Sequence, residues 1–134
     1  MNAVIVLVGI TLKNATVLVV DDDEVMRDLI SCLLEDHVRG VVVAGSVDEA
    51  MDLVIRVRPG LLVSDICMPG DDGYELIRRV RSSVEGRATR AVALSAYSED
   101  ACRDAALASG YDMFLRKPVD ANHFVAVLQA LLHD

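Results

Sequence analysis

Apolar runs of four or five residues alternate along this chain with stretches whose apolar residues recur at helical spacing. Residues 17–20 (Val-Leu-Val-Val) read as a buried strand. Residues 24–35 follow, with Val25, Met26, Leu29, Ile30, Leu33 and Leu34 at the three- and four-residue spacing of a helix. A second strand at 41–44 begins after Gly40, and Ser46 then stands as an N-cap with Glu49 three residues on, the pattern of a capping box. The helix it opens carries Ala50, Leu53, Val54 and Val57 on its inner face and stops at Pro59-Gly60. Strands are predicted again at 61–64, 91–94 and 113–115. Helices are predicted at 74–83, at 99–109 with Gly110 as C-cap, and at 120–132.

Five strand–helix units in strict alternation predict an α/β domain: a parallel sheet covered on both faces. Right-handed crossovers leave few topologies for such a sheet. No internal repeat, low-complexity stretch or interdomain linker interrupts the alternation.

Composition narrows the class. A chain of 134 residues suits one domain with a core that needs no disulfide or metal staple. The net charge is −8, and most of the acids fall where helices should begin, the end that favours negative charge. An acidic chain without a basic stripe is a poor nucleic-acid binder. Arg78, Arg79 and Arg81 are expected on the solvated face of one helix. Cys32, Cys67 and Cys102 are odd in number and lack CxxC spacing, so reduced thiols and a cytoplasmic location are expected. The apolar segment at 3–12 is too short to span a bilayer, which takes about 20 residues. It also lacks the features of a signal peptide.

The chemistry sits where the strands end. The first runs into Asp21-Asp22-Asp23, the third into Asp65, the fourth into Ser95, and the fifth into Arg116-Lys117-Pro118. Parallel sheets place their ligands along that one edge. Three consecutive acids repel one another and call for a cation; a hard divalent ion such as Mg²⁺ suits carboxylate oxygens. A single Asp at a strand end more often caps the following helix, and one of the three is expected to do so. Asp65, beside a bound Mg²⁺, has the chemistry to attack a phosphoryl group and form an acyl phosphate. Lys117 supplies a point charge for a carboxylate or phosphate, with Pro118 fixing its loop.

Acid pair, lone acid, hydroxyl and lysine, in that order, resemble the receiver domain of two-component response regulators. The resemblance runs from about residue 15 to residue 132. Val19-Val20-Asp21-Asp22-Asp23 resembles the acidic-pair motif and Ser64-Asp65-Ile66-Cys67-Met68-Pro69-Gly70 the phosphoacceptor motif, followed by Asp72-Gly73. Leu94-Ser95-Ala96 resembles the switch hydroxyl and its small neighbour, and Lys117-Pro118 the Lys-Pro pair.

The resemblance implies a flavodoxin-like (βα)5 fold with strand order 2-1-3-4-5. It also implies a role for each residue. Asp65 would take phosphate from a histidine kinase or a histidine phosphotransfer protein. Asp22, Asp65 and the backbone carbonyl of Cys67 would bind Mg²⁺ (or Mn²⁺), with Asp21 acting through water. Asp23 would stay outside the metal shell at the start of the first helix. Ser95 would bind a phosphoryl oxygen, and Lys117 would pair with Asp65 and then with the phosphate. Phe114 matches the aromatic switch position, and it reads equally as ordinary core. Phosphorylation would then repack the face of the fourth helix, fifth strand and fifth helix, changing affinity for a downstream protein or tethered kinase domain. Such a protein is a signalling switch, not a turnover enzyme. It is expected to bind no nucleic acid and no membrane, and a homodimer through that face is open.

Two features depart from the pattern. Cys67 and Tyr97 flank the route of water to the acyl phosphate, and bulky Tyr97 is expected to slow its hydrolysis; unchanged or slower phosphate release in Tyr97→Ala would refute that. Residues 1–13 are an apolar extension ahead of a receiver at 14–134, and 4–8 have strong strand propensity. The extension would cover a sheet edge, pair with another protomer, or connect to an upstream domain. Stand-alone relay protein and receiver of a hybrid histidine kinase both fit. The alternatives of another class are an aspartyl-phosphate phosphatase of the haloacid dehalogenase type and a flavin-binding electron carrier. The first wants a Thr soon after Asp21-x-Asp23, the second a hydroxyl- and glycine-rich loop in place of the acids. A pseudo-receiver that never accepts phosphate is a further alternative.

Overall fold

The computed structural model describes residues 11–66, 72–96, 100–117 and 120–133. Within them, strands β1 (Thr16–Val20), β2 (Gly40–Ala44), β3 (Leu61–Asp65), β4 (Arg90–Ser95) and β5 (Met113–Arg116) alternate with helices. The helices are α1 (Glu24–Leu34), α2 (Val47–Val57), α3 (Gly73–Ser82), α4 (Asp100–Ser109) and α5 (Ala121–His133). The sheet is wholly parallel, in the order β2-β1-β3-β4-β5. This is the flavodoxin-like order that the family resemblance implied. The chain reverses direction across the sheet between β1 and β3, which puts the ends of these two strands beside the switch point where open α/β sheets bind ligands.

The period-two alternation of the strands sorts two cores. Leu18, Val20, Leu62, Ala91 and Ala93 face a cluster closed by α2, α3 and α4. Val17, Val19, Leu61, Val63, Val92 and Leu94 face another closed by α1 and α5, with Phe124 and Leu128 at its centre. β1, β3 and β4 are buried on both faces, which is why they read as continuous apolar runs. Leu12 lies within the expected extension, in a short 3-10 turn (Leu12–Asn14). It is buried and joins the second core. Residues 1–10 lie outside the described residues.

Helix ends follow local chemistry with two adjustments. Ser46 caps α2 by accepting from the Glu49 amide, but the Glu49 carboxylate takes the Gly45 amide at 2.6 Å, one residue ahead of the expected capping-box partner. The same helix ends through Arg58 in the left-handed region (φ 52°) immediately before Pro59. Gly110, at φ 127°, makes the turn that ends α4.

Three expectations about faces are corrected. Val25 and Leu29 are exposed, so the inner stripe of α1 is narrower than its apolar spacing; Ile30 and Leu34 carry the burial. Val57 is exposed at the last turn of α2, while Val47 and Met51 take inner positions. Arg78 and Arg79 form exposed ion pairs with Glu75 and Asp48 as a solvated face should. Arg81 does not share that face. It turns under the end of α3, donates to the carbonyls of Gly86, Arg87, Thr89 and Gly110, and pairs with Asp112 at 2.9 Å. The carbonyls of the turn between α3 and β4, and of Gly110 after α4, draw the guanidinium inward.

Candidate phosphoacceptor and metal site

The ends of β1, β3, β4 and β5 bring Asp21, Asp65, Ser95 and Lys117 to one edge of the sheet. Backbone bonds extend the ladders past the strands: Asp21 N to Ala44 O, Ile66 N to Leu94 O, and Lys117 N to Ser95 O at 2.7 Å. Asp21, Asp65 and Ser95 are all buried, the first and last almost completely. Asp22, one residue on, is exposed.

Asp21 is engaged on three sides. One carboxylate oxygen accepts the Asp23 amide at 2.9 Å, the other accepts Lys117 Nζ at 3.1 Å, and its backbone carbonyl accepts Arg27 Nη1 at 2.8 Å. Asp23 caps α1 through the Val25 amide, the role expected for one of the three acids. Asp65 lies 3.6 Å from Lys117 Nζ, and its own carbonyl accepts the Ser64 hydroxyl at 3.0 Å.

Burial works to lower the pKa of Lys117, but the Asp21 hydrogen bond and the charges of Asp65 and Asp21 outweigh it and hold the ammonium above its ordinary value. Even so, Asp21, Asp22 and Asp65 present carboxylate oxygens within 4.8 Å of one another. Three carboxylates against one ammonium leave a surplus of two negative charges, a donor set that fits a hard divalent cation.

Phe114 is half-buried on β5 and packs against the first core with Tyr74. Cys67, Tyr97 and Pro118, each given a role from sequence, lie outside the described residues. Sequence reasoning missed Arg27, which is one more charge on an amphipathic helix until the fold places it over Asp21. It also missed Tyr111, a buried phenol whose hydroxyl donates to Gly73 O at 2.7 Å.

Residues 17–129 match the family model described as the response regulator receiver domain. The chain belongs to that family. The receiver is 46% identical over 119 residues to an uncharacterised 14.6 kDa protein of Leptolyngbya boryana, covering 89% of this chain and 91% of that one. It is 32% identical over 118 residues to response regulator Rre1 of Synechocystis, covering 87% of this chain but 51% of that protein. It thus spans about half the length of several named regulators it matches. Among solved structures, chemotaxis response regulator CheY4 of Vibrio cholerae superposes with a TM-score of 0.83 at 28% identity, covering 90% of this receiver and all of that chain. The receiver domain of a Syntrophus aciditrophicus histidine kinase superposes at 0.79 with 25% identity, covering 88% and 89% of the two chains. Membership places the protein in two-component signal transduction and sets aside the phosphatase and flavin-carrier alternatives. Among the described residues no helix is long and apolar enough to cross a membrane.

Proposed function

We propose that this receiver accepts a phosphoryl group on Asp65 from a phosphohistidine and thereby changes its affinity for a partner protein. The observation that carries the reading is the convergence of Asp21, Asp22 and Asp65 into one carboxylate cluster, with Lys117 across it.

Asp22 and Asp65 would hold a Mg²⁺ or Mn²⁺ ion directly. Both oxygens of Asp21 already accept hydrogen bonds, which supports its acting through water. When bound, the ion would neutralise charge on both the acceptor carboxylate and the incoming phosphoryl group. The chain's own residues do the rest. An Asp65 carboxylate oxygen attacks phosphorus as the P–N bond to the donor imidazole breaks, and the bonding pair stays with the imidazole nitrogen. Lys117 then moves from carboxylate to phosphoryl oxygen as a point charge. The Ser95 hydroxyl, at the end of the neighbouring strand, takes another phosphoryl oxygen. Phe114, half-buried on β5 opposite Ala93 of β4, would change packing, so the α4–β5–α5 face is the bistable element biased by phosphate. Its output would be a downstream protein or a tethered kinase domain.

The receiver turns over no external substrate beyond its own phosphorylation and dephosphorylation. Mg²⁺-dependent labelling by a small acyl phosphate tests the reading: it should reach about one phosphate per chain and map to Asp65.

A further inference from the structure

The phenol of Tyr111 is buried, and none of the site's chemistry described above uses it. Tyr111 precedes β5, yet its hydroxyl reaches across the first core to the base of the acceptor loop. It donates to Gly73 O at 2.7 Å, and the Ser64 hydroxyl stands near enough to the phenol to act to lower its pKa. Both contacts adjoin Asp65. Ser64 precedes it and donates to its carbonyl at 3.0 Å. Gly73 closes the loop after it through the Gly73 N to Ile66 O bond. Gly73 also packs so tightly that a Cβ there would stand 2.6 Å from Asp65 O. The core cluster that includes Tyr111 also holds the small side chains of Ala91, Ala93 and Ala106.

The Ser64 hydroxyl gives its one proton to the Asp65 carbonyl and lies beside the phenol oxygen. The phenol has one proton and spends it on Gly73. Burial, and behind it the negative charges of Asp72 and Asp65, keeps that proton in place throughout the physiological range. A neutral, fixed phenol is therefore a rigid brace between the start of β5 and both sides of Asp65.

We infer that Tyr111 is a positioning residue for the acceptor, holding Asp65 through Ser64 and Gly73 and linking the acceptor loop to β5. This rests on Asp65 being the phosphoacceptor. The test compares labelling by a small acyl phosphate with Mg²⁺ in wild type, Tyr111→Phe, Ser64→Ala, the double variant and Asp65→Asn. Tyr111→Phe should label about fivefold more slowly at saturating donor, the effect of one lost hydrogen bond, with half-saturating donor unchanged. The double variant should be no slower than the slower single variant, because the two hydroxyls act as one unit. A packing role alone would predict independent, multiplying effects. Labelling of Tyr111→Phe at the wild-type rate, or multiplying effects, would overturn the inference. If Tyr111→Phe does not unfold cooperatively, Ser64→Ala decides alone, and a wild-type rate there overturns it. Failure of wild type to label, or equal labelling of Asp65→Asn, would instead remove the phosphoacceptor reading and this inference with it.

Discussion

Lys117 Nζ sits 3.1 Å from a carboxylate oxygen of Asp21, nearer than the 3.6 Å to Asp65. The cation that should serve the acceptor is thus shared, and the nearer of its two anions is almost wholly buried. Removing it leaves buried carboxylates facing one another without compensation, which is costly when the partner charge stays behind.

Lys117→Met should therefore lose about 2–3 kcal/mol of unfolding free energy without divalent ions. Millimolar Mg²⁺ should restore more stability to the variant than to wild type, because the ion binds only the native carboxylate cluster. Denaturant unfolding of both proteins with and without Mg²⁺ measures this. Equal Mg²⁺ stabilisation of the two would contradict it.

The three consecutive aspartates should separate cleanly. Asp23→Ala removes a helix cap and should cost about 1 kcal/mol, with Mg²⁺ affinity changing by less than about twofold since the Asp23 side chain faces its own helix amides. Asp22→Ala should abolish measurable Mg²⁺ binding while leaving metal-free stability unchanged or raised, because it relieves like-charge repulsion. Calorimetric titration alongside thermal unfolding checks both.

Gly73→Ala places a methyl 2.5 Å from Ile66 Cα and 2.6 Å from Asp65 O, both on backbone that cannot step aside. Alanine in a helix normally gains about 1 kcal/mol over glycine. Here overpacking should win and destabilise by about 2 kcal/mol net, slowing phosphate transfer to Asp65 as well. An Ala variant more stable than wild type would show the loop to be softer than its packing implies.

Alkaline pH should expose Tyr111. Burial first, then the nearby charges of Asp72 and Asp65, raise its pKa far above the ordinary phenol value. A group that holds its proton more tightly when folded contributes stability that is complete below the unfolded pKa. That stability is lost as pH climbs toward the folded pKa. Wild type should lose stability from about pH 10 upward, and Tyr111→Phe should lose it less steeply. Phenolate absorbance should show Tyr111 ionising only together with unfolding.

Much of this was legible in the chain because both signals are local. Buried parallel strands must be apolar on both faces, so 17–20, 61–64 and 91–94 announced themselves, and the residue ending each one fell at the edge that carries the chemistry. Asp23 as a cap was likewise a local matter. What escaped depends on distant packing. Arg81 reads as a third arginine on a charged helix, and only the carbonyls of Gly110 and Thr89, brought near by tertiary structure, turn it inward. Tyr111 reads as a residue between a helix cap and a strand. Its partner Gly73 and its neighbour Ser64 lie far upstream. Val25 and Leu29 carried the right spacing, but α1 rests on the sheet along a narrower stripe than its apolar residues span.

In the proposed function Asp65 accepts the phosphoryl group, with help from a divalent ion held by the carboxylate cluster. The decisive experiment is incubation of the full chain with a small acyl phosphate, followed by mass measurement of the intact protein. One phosphoryl group should be added per chain in Mg²⁺, and none with EDTA present or in Asp65→Asn. An unchanged mass in Mg²⁺, or the same gain in Asp65→Asn, would contradict it.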